Sequence, residues 1–304
     1  MKDREYKISL GVLCRWFGIS RQAYYQHEWD LTEEVFQSGL VLEEVHTVRQ
    51  RHPRMGTRKL LELLRPFMQS HGIKMGRDAL FDLLSFHGLL VRRRKRAVHT
   101  TMSHHWLKKY DNLIAGFTAS RPNELWVCDI TYWKLQEGYV YISLITDAYS
   151  RKIAGYHLSE NLHASQTVKA LKMALSSMGK PSATTSELIH HSDRGVQYCS
   201  SGYVNILKNN RIRISMTQSG DPLENAIAGR VNGIIKDEYL YDCRCRNVEE
   251  GRKQLALAVT LYNTERPHNS IGNLTPEAVH TNYVKLSNEK KPERLWKNYW
   301  NKKS

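Results

Sequence analysis

One carboxylate constrains this chain more than any other side chain. In the run Glu124-Leu-Trp-Val-Cys-Asp-Ile-Thr-Tyr-Trp133, Asp129 has aliphatic, aromatic and β-branched neighbours on both sides. That composition predicts a strand with the carboxylate in its middle. Two environments are open to it. The strand lies at a sheet edge with Asp129 in water, or Asp129 is buried and must be paired or bound to a cation, because a lone buried carboxylate costs several kcal/mol.

The segments around it predict the sheet. GYVYISLITDAYS and RKIAGYHLS are two more β-rich runs, with a turn at Gly138 before the first. ASQTVKALKMALSSM reads as an amphipathic helix, ELIHHS as a short strand, SGYVNILKNN as a helix and RIRISMT as a strand. ENAIAGRVNGIIKDEYL and VEEGRKQLALAVTLYNTERPH read as helices, the second broken by Pro267. The order β-β-β-α-β-α-β-α-α predicts an α/β core with a mixed sheet and flanking helices.

The part before this core has a different period. Residues 9–26 show helix-turn-helix spacing, with a turn at Gly18, a cap at Ser20, and Arg21 and Gln22 opening the second helix; any helical hairpin gives the same pattern. Residues 34–91 repeat apolar residues every three to four positions, are interrupted at Pro53, and end two helices at Gly72 and Gly88. Five adjacent cations follow: Arg92, Arg93, Arg94, Lys95 and Arg96. They read as a phosphate-backbone contact or as a solvated linker. The predicted parts are a helix-turn-helix over 1–32, a helical DNA-binding module over 33–96, a linker over 97–120, a core over 121–283 and a basic tail over 284–304.

Charge supports a polyanionic partner. The 304 residues carry 45 Lys and Arg against 30 Asp and Glu, a net of +15. Residues 1–110 hold 20 basic and 11 acidic side chains, 111–240 hold 13 and 12, and 241–304 hold 12 and 7. A near-neutral middle with basic flanks suits a core gripped to nucleic acid by its ends. Five cysteines, with no C-x-x-C pair, support neither a disulfide framework nor a zinc knuckle. With no apolar signal region and no run of about 18 apolar residues, the expected location is cytoplasmic and nucleoid-associated, away from membranes.

Two further features point to chemistry. Asp193 directly follows the strand ELIHHS and precedes Arg194-Gly195, where a ligand-binding carboxylate or a turn-forming Asp would sit. Asn225, Gly229, Asn232 and Lys236 fall at i, i+4, i+7 and i+11, on one helical face. Gly229 is locally unfavourable there, since a mid-helix Gly costs about 1 kcal/mol relative to Ala. His190 and His191 read as hydrogen-bonding residues rather than metal ligands. Trp126, Trp133, Tyr139 and Tyr141 read as core packing rather than base-stacking surfaces.

Taken in order, WVCDITY, HHSDRGVQYCS, GDPLENAIAGRVNGIIKDEYL and LYNTERPHNSIGNLTPEAV resemble the motifs of second-frame (OrfB) transposases of two-frame bacterial insertion sequences. The resemblance spans essentially the whole chain, and HPRMGTRKL resembles that family's second helix-turn-helix-like module. It implies an RNase H-like, retroviral-integrase core with a DDE carboxylate set that binds Mg²⁺ (or Mn²⁺) and drives DNA cleavage and strand transfer. Asp129 and Asp193 match the first two carboxylates. The family places its Glu after 35 intervening residues, which is position 229, and this chain has Gly229 there. Glu224, Asp237 and Glu238 lie too far along or around the helix to replace it. The resemblance therefore implies an impaired enzyme in which Asp129 and Asp193 hold one ion weakly. Lys236 resembles the family's DNA-contacting basic residue, and Arg266-Pro267-His268 its C-terminal motif, where His268 is equally well a local helix-end cap. The implied partners are double-stranded DNA (element ends and target), further copies of the chain and a first-frame DNA-binding protein. Two other readings remain: an inactive protein that occupies element ends, and an RNase H-like nuclease unrelated to transposition.

Overall fold

The structure, a computed structural model, describes residues 8–91, 106–178, 187–218 and 222–283. These fall into two compact units. The first holds residues up to Gln50 and Leu60–Leu90; the second holds Arg51–Lys59 and everything from Val91.

The first unit is helical. α1 (Leu10–Trp16) is followed by a turn at Gly18, whose φ of +68° suits glycine. Ser20 then caps the next helix, its Oγ accepting from the Ala23 amide at 3.0 Å. That helix, α2 (Arg21–Arg51), runs unbroken for 31 residues. The boundary expected between 32 and 33 thus falls inside one helix, because nothing between Leu31 and Phe36 can terminate it. α3 (Thr57–Ser70) and α4 (Arg77–Phe86) complete the unit. Val41, Val45, Leu60, Leu64, Leu80 and Leu84 form its core, all fully buried. The first half of α2 contributes nothing to that core: Trp29, Val35 and Phe36 are exposed.

The second unit is the expected mixed sheet. β1 (Leu125–Lys134), β2 (Tyr139–Asp147) and β3 (Ile153–Ser159) form an antiparallel meander. α5 (Ala164–Ser177) follows, then β4 (Ile189–Ser192), α6 (Val196–Cys199), α7 (Ser201–Asn209) and β5 (Arg213–Met216). β4 pairs parallel to β1, and β5 parallel to β4. The strand order is β3-β2-β1-β4-β5, so β1 is central. α8 (Ala226–Ile234) continues into a π-helical turn (Ile235–Leu240), and α9 (Val248–Thr264) and α10 (Pro276–Thr281) close the unit. This is the RNase H-like layering: α5 and α7 cover Trp126, Cys128 and Ile145 on one face, while α8 and α9 cover Trp133, Ile142 and Leu144 on the other. Gly155 of β3 permits the close approach of α5, since a Cβ there would lie 2.2 Å from the Ala170 carbonyl oxygen.

Two segments join this unit that local patterning did not place in it. Residues 110–114, expected as linker, run beside β5: the Met216 amide donates to the Asp111 carbonyl (3.2 Å), and the Leu113 amide to Ser215 Oγ (2.9 Å). Arg51–Lys59, expected within the helical module, is tied in by side chains. His52 meets Tyr239 Oη (3.1 Å) and Glu265 (3.2 Å), and Lys59 Nζ donates to Glu238 (3.5 Å). Among the described residues, no helix is long and apolar enough to cross a membrane.

Candidate active site

β1 is the central strand, and Asp129, partly buried, stands where its pairing with β4 ends. β4 pairs with β1 only as far as Val127↔His191. Two residues beyond that pair, on both strands, come Asp129 and Asp193. Parallel neighbours lie about 5 Å apart, so strand register alone brings the two carboxylates side by side where β4 ends. Asp193 Oδ1 also accepts from the Gly195 amide (3.0 Å), which turns the chain into α6. Asp129 accepts from Asn232 Nδ2 at 2.8 Å and from the Ile130 amide at 2.9 Å. Burial, and then the charge of Asp193, push its carboxyl up to about 7, against the opposing pull of Asn232, Ile130 and Lys236. The pair therefore resists double ionisation, the condition a bound cation relieves.

The polar face of α8 lies along β1, as its spacing predicts. Asn225 Nδ2 donates to the Cys128 carbonyl (2.8 Å), Asn232 to Asp129, and Lys236 Nζ to Thr131 Oγ1 (3.2 Å). Lys236 also stands over the Tyr132 ring, 4.3 Å from its centroid. Gly229 sits between these anchors, is exposed, and has no heavy atom other than its own helix backbone within 4 Å of where a Cβ would be. Helical neighbours at i and i+3 have Cβ atoms about 5–6 Å apart, so a side chain at 229 would stand beside Asn232, the donor to Asp129.

The nearby carboxylates are engaged elsewhere. Glu224 Oε2 accepts from the Gln218 amide (2.7 Å). Glu238 forms a bidentate pair with Arg266, Nε–Oε2 2.7 Å and Nη2–Oε1 2.8 Å, and Arg266 has no exposed surface. Asp237 is exposed. Among the described residues, no three His, Cys, Asp or Glu side chains are grouped to hold a metal.

The histidines are structural. His190 Nε2 contacts Tyr203 Oη (2.8 Å) and Cys128 Sγ (2.9 Å), and His191 Nδ1 contacts Ser215 Oγ (2.8 Å). Burial lowers them to about 3 and about 4, so both are neutral. His268 meets Ser270 Oγ (3.1 Å) and the edge of Tyr262; burial, then Arg266 and Arg151, lower it to about 2. Trp126 and Trp133 are buried, as expected. Tyr141 is only half-buried and Tyr139 is 56% exposed, which corrects the core assignment of both: they stand at the open end of the hairpin, outside the clusters of buried residues. Arg21 is exposed at the first position of α2 in the first unit, away from any residue of this site in sequence. Arg92, Arg93, Arg94 and Arg96 lie outside the described residues. Local patterning missed the Glu238–Arg266 pair; only the motif around Arg266 hinted at it.

Two family models, both described as integrase core domain, match residues 119–222 and 210–276. The insertion element IS600 uncharacterized 31 kDa protein of Shigella sonnei is 34% identical over 281 residues, covering 90% of this chain and 100% of that one. The transposase for insertion sequence element IS629 of Shigella sonnei is 29% identical, covering 93% and 95%. Transposase InsF for insertion sequence IS3A of Escherichia coli K12 is 28% identical, covering 91% and 96%. Among solved structures, the HTLV-2 integrase catalytic core domain in complex with magnesium is similar at 22% identity and a TM-score of 0.43, over 54% of this chain and 99% of that one. With four motifs in order, a mixed sheet whose register brings Asp129 and Asp193 close together, and a relative matched over its full length, the chain belongs to the second-frame, DDE-type transposases of bacterial insertion sequences, which are built on an integrase core.

Proposed function

We propose that this chain is a DNA transposase subunit whose carboxylate site is incomplete, so that DNA cleavage and strand transfer are severely impaired in the sequence as it stands. The observation that carries this reading is Gly229, an exposed position opening beside the Asp129–Asp193 pair on a helix face that otherwise anchors to β1. The donor set fits a hard divalent cation, Mg²⁺ or Mn²⁺, held by Asp129 and Asp193. Such an ion, when bound, supplies Lewis-acid activation of the attacking and leaving oxygens of a phosphodiester. The chain's own residues do the rest. Asn232 and the Ile130 amide orient the Asp129 carboxylate, Asn225 fixes the start of α8 against β1, and Lys236 offers a cation for a DNA phosphate two residues along the strand. Arg21, Arg92, Arg93, Arg94 and Arg96 are the further DNA contacts. The substrates are the element's double-stranded ends and a target duplex, bound by several copies together with a first-frame DNA-binding protein, in the cytoplasm at the nucleoid.

The test is an in vitro cleavage and strand-transfer assay on labelled element-end DNA with Mg²⁺, comparing the chain as given with Gly229→Glu. The expected result is activity restored by the substitution. Equal activity in the two overturns the impairment. Gly229 equally favours a second reading, an inactive protein that occupies element ends. Binding of those ends by the chain as given, with no Mg²⁺-dependent nicking, selects it.

A further inference from the structure

The β1–β2 hairpin carries an aromatic surface that nothing in the fold requires. In an antiparallel pair, directly opposed residues share a face, as do residues two apart. Tyr132 opposes Tyr141, and Lys134 opposes Tyr139, so all four lie on one face of the hairpin end. Deeper in the same face, Trp126 and Cys128 are buried under α5 and α7. That cover does not extend to the hairpin end, where Tyr139 is 56% exposed. A ring left in water forgoes the hydrophobic stabilisation that places most aromatics inside.

The exposed ring is nonetheless held in place. Tyr139 meets Tyr132 edge to face, with centroids 5.9 Å apart and planes at 64°. Tyr132 lies under the Lys236 ammonium, 4.3 Å from the ring centroid, and that ammonium is fixed in turn by Thr131. The connecting turn is clamped as well. Gly138, at φ +146°, lets its carbonyl accept from the Leu135 amide (2.8 Å), while the Gln136 and Glu137 amides donate to the Cys245 and Arg246 carbonyls (3.1 and 3.3 Å). Lys134, Arg244 and Arg246 are exposed around the turn.

We propose that this hairpin end is a stacking platform for an unpaired DNA base, with Tyr139 as the stacking ring, Tyr132 and Lys236 as its support, and the surrounding cations tracking the backbone. Aromatic rings interleaved with cations are how proteins hold single-stranded nucleic acid, since every base offers a π-face whatever its sequence. Bases inside an intact duplex cannot offer that face, so the ligand is a single-stranded flank or a flipped nucleotide. Tyr132 is three residues along β1 from Asp129, about 10 Å, and on the opposite face of the sheet. The base held there is thus an unpaired one that has left the duplex at the carboxylate pair and passed the end of β1's pairing with β4. The inference rests on the reading of the second unit as a DNA-handling core.

The experiment measures binding of the full chain, in EDTA and at fixed salt, to two element-end duplexes. One is blunt; the other carries a four-nucleotide single-stranded flank with 2-aminopurine at its third position. The expected result is tighter binding of the flanked duplex, with quenching of the 2-aminopurine on binding. Tyr139→Ala removes the quenching and weakens flanked-duplex binding about 5- to 100-fold, while blunt-duplex binding is unchanged. Tyr139→Phe and Tyr139→Trp retain both signals. Wild-type behaviour of Tyr139→Ala overturns the proposal, and so does equal weakening on both duplexes. A chain that binds both duplexes with no preference and no quenching overturns the platform but leaves the DNA-handling reading standing. Binding to neither duplex overturns both.

Discussion

The Glu238–Arg266 pair offers a demanding test of how the second unit is held together. Burial pushes the Glu238 carboxyl up, yet Arg266 and then Lys59 outweigh burial and hold it below its ordinary value. Glu238→Gln would leave the Arg266 guanidinium, which has no exposed surface, without a carboxylate, and would strip Lys59 of its partner at 3.5 Å. Breaking a buried pair by removing one member costs about 3–5 kcal/mol, and two orphaned cations put this variant at the upper end. Arg266→Met leaves Glu238 with Lys59 still at hand, so it belongs at the lower end, about 3 kcal/mol. The double variant leaves only Lys59 unpaired, and its side chain already reaches water at 17% exposure. Its loss should fall short of the sum of the single losses by about 2–3 kcal/mol. Urea unfolding followed by tryptophan fluorescence reads this, because Trp126 and Trp133 are buried in the same unit. With a slope of about 2 kcal/mol per molar urea, Glu238→Gln should move the midpoint of that unit by roughly 2 M. Single losses under about 1 kcal/mol, or a double variant equal to the sum, would refute the reasoning.

The remaining predictions concern the sheet and the site. Asp129 has a carboxyl raised from 3.8 to about 7. The unfolded chain therefore ionises first, and stability falls as pH rises from about 4 to about 7, by up to about 4 kcal/mol. In EDTA, Asp129→Asn should be more stable than the parent above pH 7, with the gap closing towards pH 4; a gap independent of pH would count against a carboxyl raised by burial and by the charge of Asp193. Gly155→Ala would drive a Cβ to within 2.2 Å of the Ala170 carbonyl and 2.8 Å of the Ala174 amide nitrogen. Overpacking of that kind costs about 3 kcal/mol, a fall of roughly 6–12 °C in Tm; a change under about 2 °C by calorimetry would contradict the close approach of α5. Gly229→Glu removes a mid-helix glycine and meets no neighbour, which favours the helix by about 0.5–1 kcal/mol. It also sets a third negative charge near Asp129, so Mg²⁺ should raise its Tm more than it raises the parent's. Equal Mg²⁺-induced shifts would mean that residue 229 does not face the carboxylate pair.

The carboxylate pair and the helix face beside it were legible because both depend on short-range regularities. Asp129 stood out against an apolar run, Asp193 closed a strand, and 3.6-residue periodicity aligned Asn225, Asn232 and Lys236, which anchor to Cys128, Asp129 and Thr131. What was not legible depends on partners far away in the chain. His52 and Lys59 sit in a helical context but find Tyr239, Glu265 and Glu238 nearly two hundred residues on. Residues 110–114 have no period of their own, and only β5 tells them where to lie. Tyr139 alternates correctly for a buried strand position, yet it stands at the open end of the hairpin and is exposed. α2 reads as two helices because its first half lacks core residues, while its backbone needs none of them to continue.

The open space around Gly229 has an evolutionary consequence. A residue packed in the interior is policed by folding itself, since a poor substitution there lowers the amount of folded protein. Position 229 is only weakly guarded: outside its own helix backbone no atom lies within contact distance of its Cβ, and its backbone is ordinary helix. A carboxylate could be lost from it, or regained, without disturbing the sheet, the Glu238–Arg266 pair or the anchors of α8. Folding bears on this position only through helix propensity, about 0.5–1 kcal/mol, so a copy of the element that had ceased to move would still produce a well-folded chain.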